Sequence, residues 1–381
     1  KLVGITGTNG KTTTTNIIKH ILTENGNKVG LMGTIQNEID DIVLPAKHTT
    51  PDAYALASMQ DKMVRAGCKY AVMEVSSHAL DQHRLASCFF EAGAFTNLTQ
   101  DHLDYHKTME NYFEAKKKLF NMSKHSVINI DDEYGQKIAN DLGSDAITFS
   151  VKDKTADFFA DNIVIKADGS HFDLVAKGER HKIDFCMPGY FSVANALTAA
   201  AVCNSLGIEI EKVAKSLNSS KGVTGRTEVI KANTEFSIIR DYAHSPDGLL
   251  KIISSVREFS DGNRIVVLFG CAGNRDRTKR KTMAEIVARL SDFCILTSDN
   301  PRDEDEMQII NDAKIGFAQH ETPYMIIPDR FEAIKWAIEN CKKDDILILA
   351  GKGHEDYQVL DYGTIYFDEK EIVQRLTGYK Q

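Results

Sequence analysis

The chain has 381 residues, a formal net charge of −8 and a pI near 5.9. This length exceeds the usual size of one domain, so we expect two globular domains. The acidic balance argues against nucleic acid or an anionic membrane surface as the main partner, because both favour concentrated lysine and arginine.

The sequence also lacks signals for export or membrane insertion. No stretch approaches the roughly 20 apolar residues of a spanning helix, and the N-terminus lacks the order of a signal peptide. The seven cysteines are scattered without metal-site spacing, which is typical of free thiols in a reducing compartment. We therefore expect a cytoplasmic protein without membrane insertion, and a monomer.

In the first half of the chain, short β-branched runs alternate with helical patterns, which is typical of a parallel sheet covered by helices. The predicted strands are Leu2–Thr6, Lys28–Gly33, Tyr70–Val75, Gly93–Leu98 and Ser126–Ile130, and the predicted helices are Lys11–Glu24, Asp52–Ala66 and Ser192–Leu206. Between Ala156 and Met187, apolar and polar residues alternate around two turns, which predicts a small antiparallel insertion.

The segment Asn218–Gly225, with two serines and two glycines, is the predicted linker. Beyond it, strands are predicted at Ile265–Phe269, Phe293–Thr297, Tyr324–Ile327 and Ile346–Ala350, separated by helical stretches. The predicted fold is therefore α/β, with a mostly parallel sheet domain and its insertion in residues 1–221 and a Rossmann-like α/β domain in residues 222–381.

A glycine-rich turn directly follows the first predicted strand. Gly7, Thr8, Asn9 and Gly10 lead into Lys11, Thr12 and Thr13, where a helix begins. In such a phosphate loop, backbone N–H groups and the helix N-terminus meet phosphate oxygens, the lysine neutralises charge and the hydroxyl ligates Mg²⁺. The loop predicts an ATPase domain of the P-loop type, but motor ATPases, GTPases and kinases share it, so it does not name a reaction.

Two further clusters of polar residues follow predicted strands. Glu74 ends one strand, and the loop Thr96–His106, which includes His102, follows another. Ligands bind at the carboxyl edge of open parallel sheets, where both clusters would lie. A glutamate at a strand end is more often simply exposed, but the density of metal-capable side chains in the second loop favours a metal site.

The run Thr6-Gly7-Thr8-Asn9-Gly10-Lys11-Thr12-Thr13 resembles the phosphate loop of the Mur ligase family, which is related to folylpolyglutamate and cyanophycin synthetases. The run from Met73 to Arg84, which contains Glu-Val-Ser-Ser-His, resembles the signature of the MurE group of that family. The resemblance covers essentially the whole chain and implies an ATP-dependent amide ligase. In this chemistry a carboxylate attacks the γ-phosphate of ATP, and an amine then attacks the acyl phosphate.

The resemblance also implies which residues carry the chemistry. Glu74 and His102, with Thr12, would hold Mg²⁺, and Lys116 would become a carbamate that helps hold a second ion. By composition alone, Lys116 and the two lysines after it would form a solvated helix face. With Lys11, these residues form the predicted catalytic set. Asn195, Arg226, Asp241 and His244 match positions around ATP in the family.

Substrate residues follow from the same resemblance. The positions that would contact UDP-N-acetylmuramoyl-L-Ala-D-Glu are Thr49, Thr50, Ser76, Gln82 and Arg84. The positions that would bind meso-diaminopimelate are Arg275, Asp299, Asn300, Pro301, Arg302, Gly351 and Glu355. The Asp-Asn-Pro-Arg run is typical of diaminopimelate-adding members, since an arginine can pair bidentately with the carboxylate that lysine lacks.

The sequence departs from the family pattern in one respect, and three alternative functions remain open. Family members begin with a domain that holds the UDP-sugar, whereas this sequence starts at the strand that feeds the phosphate loop, so we expect either a fragment or a two-domain relative. The alternatives to a diaminopimelate ligase are a lysine-adding ligase, a two-domain ligase acting on another carboxylate, and a non-catalytic nucleotide-binding module. The last would predict loss of the catalytic residues, which are all present.

Overall fold

The computed structural model describes residues 1–380 and divides the chain into two compact units. The first contains Lys1–Val164, Ser170–Cys186 and Tyr190–Lys221, and the second contains Ile165–Gly169, Met187–Gly189 and the chain from Gly222 onward. None of the helices in residues 1–380 combines the length and apolar character that a bilayer crossing requires. All seven cysteines are free.

The first unit is built on an eleven-stranded sheet with the order β11-β10-β9-β8-β7-β6-β1-β5-β2-β3-β4. Its strands are β1 (Leu2–Thr6), β2 (Val29–Met32), β3 (Gln36–Ile39), β4 (Ile42–Pro45), β5 (Tyr70–Glu74), β6 (Phe90–Phe95), β7 (Ser123–Asn129), β8 (Ala146–Ser150), β9 (Phe158–Lys166), β10 (Gly169–Ala176) and β11 (Glu179–Phe185). Between β9 and β2 in this order, each adjacent pair of strands is parallel, whereas the pairs β2-β3, β3-β4 and β10-β11 are antiparallel.

The helices of the first unit are α1 (Lys11–Glu24), α2 (Ala53–Arg65), α3 (Ser77–Asp81), α4 (Leu103–His106), α5 (Met109–Lys117), α6 (Glu133–Leu142), α7 (Tyr190–Ser205) and α8 (Ile210–Ser219). The strand β1 is fully buried between β5 and β6. The phosphate-loop turn that follows it therefore starts from a buried strand that is hydrogen-bonded on both sides.

The second unit contains a six-stranded sheet with the order β12-β13-β17-β14-β15-β16 and a two-stranded ribbon, β18-β19. Its strands are β12 (Glu228–Val229), β13 (Ser237–Asp241), β14 (Ile265–Cys271), β15 (Phe293–Ser298), β16 (Tyr324–Ile326), β17 (Ile346–Ala350), β18 (Tyr357–Leu360) and β19 (Gly363–Tyr366). Its helices are α9 (Pro246–Phe259), α10 (Thr278–Leu290), α11 (Glu306–Lys314), α12 (Arg330–Asn340) and α13 (Glu369–Leu376). Two apolar clusters, one on each side of β14 and β17, form its core.

The α/β prediction is confirmed, but some boundaries were wrong. The strand predicted at Gly93–Leu98 is β6, which begins at Phe90. Glu91 interrupts the apolar run there and pairs with two lysines at the surface, while Thr96 turns its hydroxyl to the carbonyl of Asn9. The predicted linker begins inside α8. The hairpin β3-β4, the strand β13 and the ribbon β18-β19 were not predicted, because their apolar runs are short.

Candidate active site

The phosphate-loop turn is held by its neighbours in the first unit. The N–H groups of Thr8 and Asn9 donate to the carbonyl and side-chain oxygen of Asn97, at 2.9 and 3.0 Å. Gly10 has a φ of 84°, and a Cβ there would lie 2.4 Å from Oδ1 of Asn195. Only glycine fits such a turn without strain. Lys11 Nζ donates to the carbonyls of Gly7 and Thr8, both at 2.9 Å, so its charge stays over the loop.

Glu74 lies beside this loop, because β5 is the neighbour of β1 and both strands end at the same edge. Its side chain is 1% exposed and accepts hydrogen bonds from Thr12 Oγ1 at 3.0 Å, Thr34 N at 2.8 Å and Thr34 Oγ1 at 3.0 Å. No ion pair within residues 1–380 includes Glu74. A buried carboxylate without a basic partner is the kind of group that a bound cation would complete.

Lys116 reaches the same loop from α5. Its side chain is 1% exposed, Nζ donates to the carbonyl of Gly7 at 2.9 Å, and Nζ lies 4.6 Å from the ring centre of Tyr112. Burial, assisted by the charge of Lys11, lowers the pKa of Lys116 well below its ordinary value. Lys117 and Lys118 instead pair with aspartates at the surface. The three consecutive lysines therefore have different environments, and one is part of the site.

His102 precedes α4 with a left-handed φ of 53°. Its ring centre lies 5.0 Å from that of His78 and 6.0 Å from that of Tyr112, and burial lowers its pKa. No hydrogen bond between His102 and Glu74 is present in the described part of the chain. Within residues 1–380 no group of three histidine, cysteine or acidic side chains is arranged to hold a metal. The predicted metal set contains only two such residues and otherwise consists of a threonine and a modified lysine.

The five predicted acceptor-binding residues form one hydrogen-bonded group with Glu74. Thr50 Oγ1 donates to the Glu74 carbonyl at 2.9 Å and lies 3.1 Å from Ser76 Oγ. Arg84 bonds the Thr50 carbonyl at 3.4 Å and the Gln82 side chain at 2.9 Å. Thr49 completes the group with a contact of 3.1 Å between its Oγ1 and Oγ1 of Thr34.

Thr34 was missed by the sequence reasoning. It joins Glu74 to Thr49 and therefore connects the phosphate loop with the acceptor group. A signal was available, because Thr34 is a hydroxyl residue two positions after β2, at the carboxyl edge of the parallel sheet.

Of the residues predicted around ATP, Asn195 lies in the first unit, where its Oδ1 accepts from Thr14 Oγ1 at 3.2 Å. Arg226, Asp241 and His244 lie in the second unit. The Arg226 guanidinium lies 4.9 Å from the ring centre of Tyr242, and the Tyr242 and His244 rings are 4.5 Å apart. Burial raises the pKa of Asp241 despite the opposing charge of Arg226.

His354 belongs to the same cluster and was not predicted. Its ring centre lies 4.8 Å from that of Tyr242, and its buried Nδ1 has no hydrogen-bond partner within residues 1–380. Burial, with the charge of Arg226, lowers the pKa of His354 to about 4. The imidazole of His354 is therefore neutral at neutral pH.

Most of the predicted amino-acid site lies where β15 and β17 end. Asn300 Nδ2 donates to Glu355 Oε2 at 2.9 Å, and Asp299 lies against Gly351. The other members, Pro301 and Arg302, continue the loop after β15; Arg302 has a φ of 56° and donates from Nη1 to the Gly273 carbonyl at 2.7 Å.

Arg275 does not join this group. It is exposed, and no hydrogen bond or ion pair within residues 1–380 includes it. The loop that carries it nevertheless runs beside the group, because Gly273 N donates to the Asn300 carbonyl at 2.9 Å.

Comparisons with known proteins identify the family of the chain. Residues 5–203 match the Mur ligase middle domain, and residues 225–353 match the Mur ligase glutamate ligase domain. The chain is 49% identical over 375 residues to UDP-N-acetylmuramoyl-L-alanyl-D-glutamate--2,6-diaminopimelate ligase 1 of Clostridium acetobutylicum, covering 98% of this chain and 77% of that protein. It is 46% identical over 376 residues to the 2,6-diaminopimelate ligase of Caldanaerobacter subterraneus, with the same coverage.

Solved structures give the same result. The structure of a UDP-N-acetylmuramoyl-L-alanyl-D-glutamate--2,6-diaminopimelate ligase is 34% identical, with a TM-score of 0.73, and the match covers 99% of this chain and 78% of the other. A folylpolyglutamate synthase from Thermotoga maritima, at 18% identity, has a TM-score of 0.69 with coverage of 92% and 86%, and shares the fold.

Proposed function

The chain belongs to the Mur ligase family of ATP-dependent amide ligases, and we propose that it joins meso-diaminopimelate to UDP-N-acetylmuramoyl-L-Ala-D-Glu in the synthesis of peptidoglycan precursors. The observation that carries the proposal is the hydrogen-bonded path from Thr12 of the phosphate loop through Glu74 and Thr34 to Thr49 of the acceptor group. The path supports the proposal because it links the phosphate loop to the residues that we assign to the acceptor.

The reaction has two steps. A carboxylate of the acceptor attacks the γ-phosphorus of ATP, which releases ADP and leaves an acyl phosphate. The amine of diaminopimelate then attacks the acyl carbon, loses a proton and expels inorganic phosphate. Lys11 is held over the phosphate loop by two carbonyl groups, where its charge would stabilise the negative charge on the transferring phosphoryl group.

The proposed magnesium ligands are Thr12, Glu74, His102 and Lys116 in its carbamate form. Bound Mg²⁺ would neutralise phosphate charge during the transfer. Glu74 is suited to this role because its buried carboxylate lacks a basic partner, and Lys116 because a neutral amine can add to CO₂ with loss of a proton. Burial favours the neutral amine of Lys116, and the carbamate would place a negative charge beside the loop, which attracts a metal cation.

The residues for the two organic substrates are assigned by the same proposal. Thr49, Thr50, Ser76, Gln82 and Arg84 offer hydroxyl, amide and guanidinium groups to the carboxylates of the acceptor. For the amine substrate, Glu355 would receive the ammonium end, and Asn300, which donates to Glu355 Oε2, would lie beside it.

Arg302 would pair with the carboxylate that diaminopimelate has and lysine lacks, and Arg275, Asp299, Pro301 and Gly351 would line the same site.

Seven free thiols and a net charge of −8 support a cytoplasmic monomer.

The direct test is phosphate release by the chain with ATP and Mg²⁺. We expect release to require both the UDP-linked dipeptide and meso-diaminopimelate, and to be at least tenfold slower with L-lysine, about the discrimination of one charge-assisted contact. The variant Arg302→Ala should lose most of this preference. Equal turnover with L-lysine would instead identify a lysine-adding ligase. Phosphate release that depends on neither amine would refute the proposal.

A further inference from the structure

Lys352 lies in the loop after β17 in the second unit, and its side chain is fully buried. Its Nζ lies 3.1 Å from Glu355 Oε2, 3.3 Å from Asn300 Oδ1 and 3.8 Å from Asp299 Oδ1. A buried ammonium group is unfavourable unless polar partners surround it. Lys352 thus connects the segment after β15 with the loop after β17, and all three of its partners belong to the proposed amino-acid site.

The first consequence concerns the side-chain amide of Asn300. Its Oδ1 accepts from Lys352 Nζ and from the N–H of Val359 at 2.9 Å. Because an amide oxygen only accepts and an amide NH₂ only donates, two donors on Oδ1 turn Nδ2 toward Glu355. Nδ2 indeed donates to Glu355 Oε2 at 2.9 Å. Lys352 therefore fixes the orientation of Asn300 and directly holds the same oxygen of Glu355.

The second consequence concerns charge. Within residues 1–380, the ion pairs of Asp299 and Glu355 involve Lys352 alone. One ammonium group is shared by two carboxylates, so the cluster carries one uncompensated negative charge. Asp299 Oδ1 is also buried and has no hydrogen-bond partner in the described part of the chain. An incoming ammonium group would supply both the missing positive charge and a donor.

The backbone around the cluster is fixed by a different residue. Arg330 donates to the carbonyl of Ser298 at 3.1 Å and to that of Ala350 at 2.9 Å, the last residues of β15 and β17. The ends of the two strands are therefore held together without Lys352, whose contacts are made to side chains of the proposed amino-acid site.

We propose that Lys352 is a positioning residue for the amino-acid substrate. It orients Asn300, holds one oxygen of Glu355 and sets the charge of the cluster to match a single ammonium group. The inference rests on the proposed function, which assigns Asn300, Glu355 and Asp299 to the amino-acid site.

The test is steady-state kinetics of the variant Lys352→Met, which removes the charge and the donors but keeps an unbranched side chain. We expect the KM for meso-diaminopimelate to rise about tenfold or more, while the KM values for ATP and the UDP-linked dipeptide stay within about twofold. Lys352→Gln, which retains donors without the charge, should lie between this variant and the wild type. Lys370→Met is the matched control, because Lys370 pairs with Glu228 at 3.0 Å in the same unit and is partly exposed.

The outcomes separate this inference from the proposed function. A Lys352→Met variant with an unchanged KM for diaminopimelate would overturn the role of Lys352, and so would an equal rise of all three KM values together with a lower urea midpoint. If that variant does not fold, Asp299→Asn/Lys352→Met is compared with Asp299→Asn alone, because the double variant has the same net charge in the cluster as the wild type. The double variant should have the higher KM for diaminopimelate, and equal KM values in the two variants would overturn the inference. Wild-type phosphate release that is independent of diaminopimelate would refute the proposed function instead.

Discussion

The strongest stability prediction concerns Arg330, the first residue of α12. Its side chain and that of Glu369 are fully buried and paired at 2.8 Å, and Arg330 also donates to the carbonyls of Ser298 and Ala350. In Arg330→Met, Glu369 keeps a buried charge without its partner, and two carbonyls lose a donor. Removing one member of a buried ion pair costs about 3–5 kcal/mol, and the two carbonyls add to this cost, so we expect at least about 4 kcal/mol.

The chain contains a single tryptophan, Trp336, which lies in the same helix and stacks on Phe293. Its fluorescence during urea denaturation therefore reports on the unit that contains Arg330. We expect a lower midpoint with an unchanged slope, since the variant alters stability and not the surface exposed on unfolding. Arg330→Met/Glu369→Leu should recover part of the loss, because it also removes the unpaired charge.

Arg257 provides a matched control. It too pairs with a carboxylate, Asp292 at 2.7 Å, and donates to two backbone carbonyls, but both side chains of this pair are about 40% exposed. Arg257→Met should therefore cost no more than about 1 kcal/mol. If Arg330→Met costs no more than Arg257→Met, the burial argument is wrong.

Three further variants test the site. Gly10→Ala should lower ATP-dependent phosphate release at least tenfold, because its Cβ would meet Asn195 Oδ1 and strain the loop. Gly26→Ala is the control, because Gly26 has a similar φ but open space around the added Cβ. An equal loss of phosphate release in the two variants would contradict the predicted steric clash at Gly10. Lys116→Ala should lose most activity and regain part of it with a short-chain carboxylic acid, and a fully active variant would exclude the carbamate. The folded-state pKa of His354 is about 4, below its ordinary 6.5, so the unfolded chain binds the proton more readily and stability should fall as pH drops from 6.5 to 4. In His354→Gln the urea midpoint should change less between pH 6.5 and pH 4 than in the wild type. An unchanged dependence of the midpoint on pH would contradict the lowered pKa of His354.

The sequence by itself determined the fold class and the phosphate loop. The β-branched run Leu2–Thr6, the glycine-rich turn and the helix from Lys11 appear at the predicted bounds, because a fully buried parallel strand and a helix have distinct local patterns. Short strands such as β13 and the hairpin β3-β4 were missed, since they are stabilised by pairing with distant strands, a contribution that their own residues do not reveal.

Tertiary structure alone decided which polar residues share an environment. Lys116, Lys117 and Lys118 are identical in type, yet only Lys116 is buried against the phosphate loop. Likewise, Thr34 belongs to the candidate site because it donates a hydrogen bond to Glu74, which is 40 residues away in sequence. Lys352 belongs to the proposed amino-acid site because it donates to Asn300, which is 52 residues away. A side chain's burial and hydrogen-bond partners depend on elements that are remote in sequence, so local composition could not distinguish these residues, and Lys116 was singled out only by the resemblance to the family.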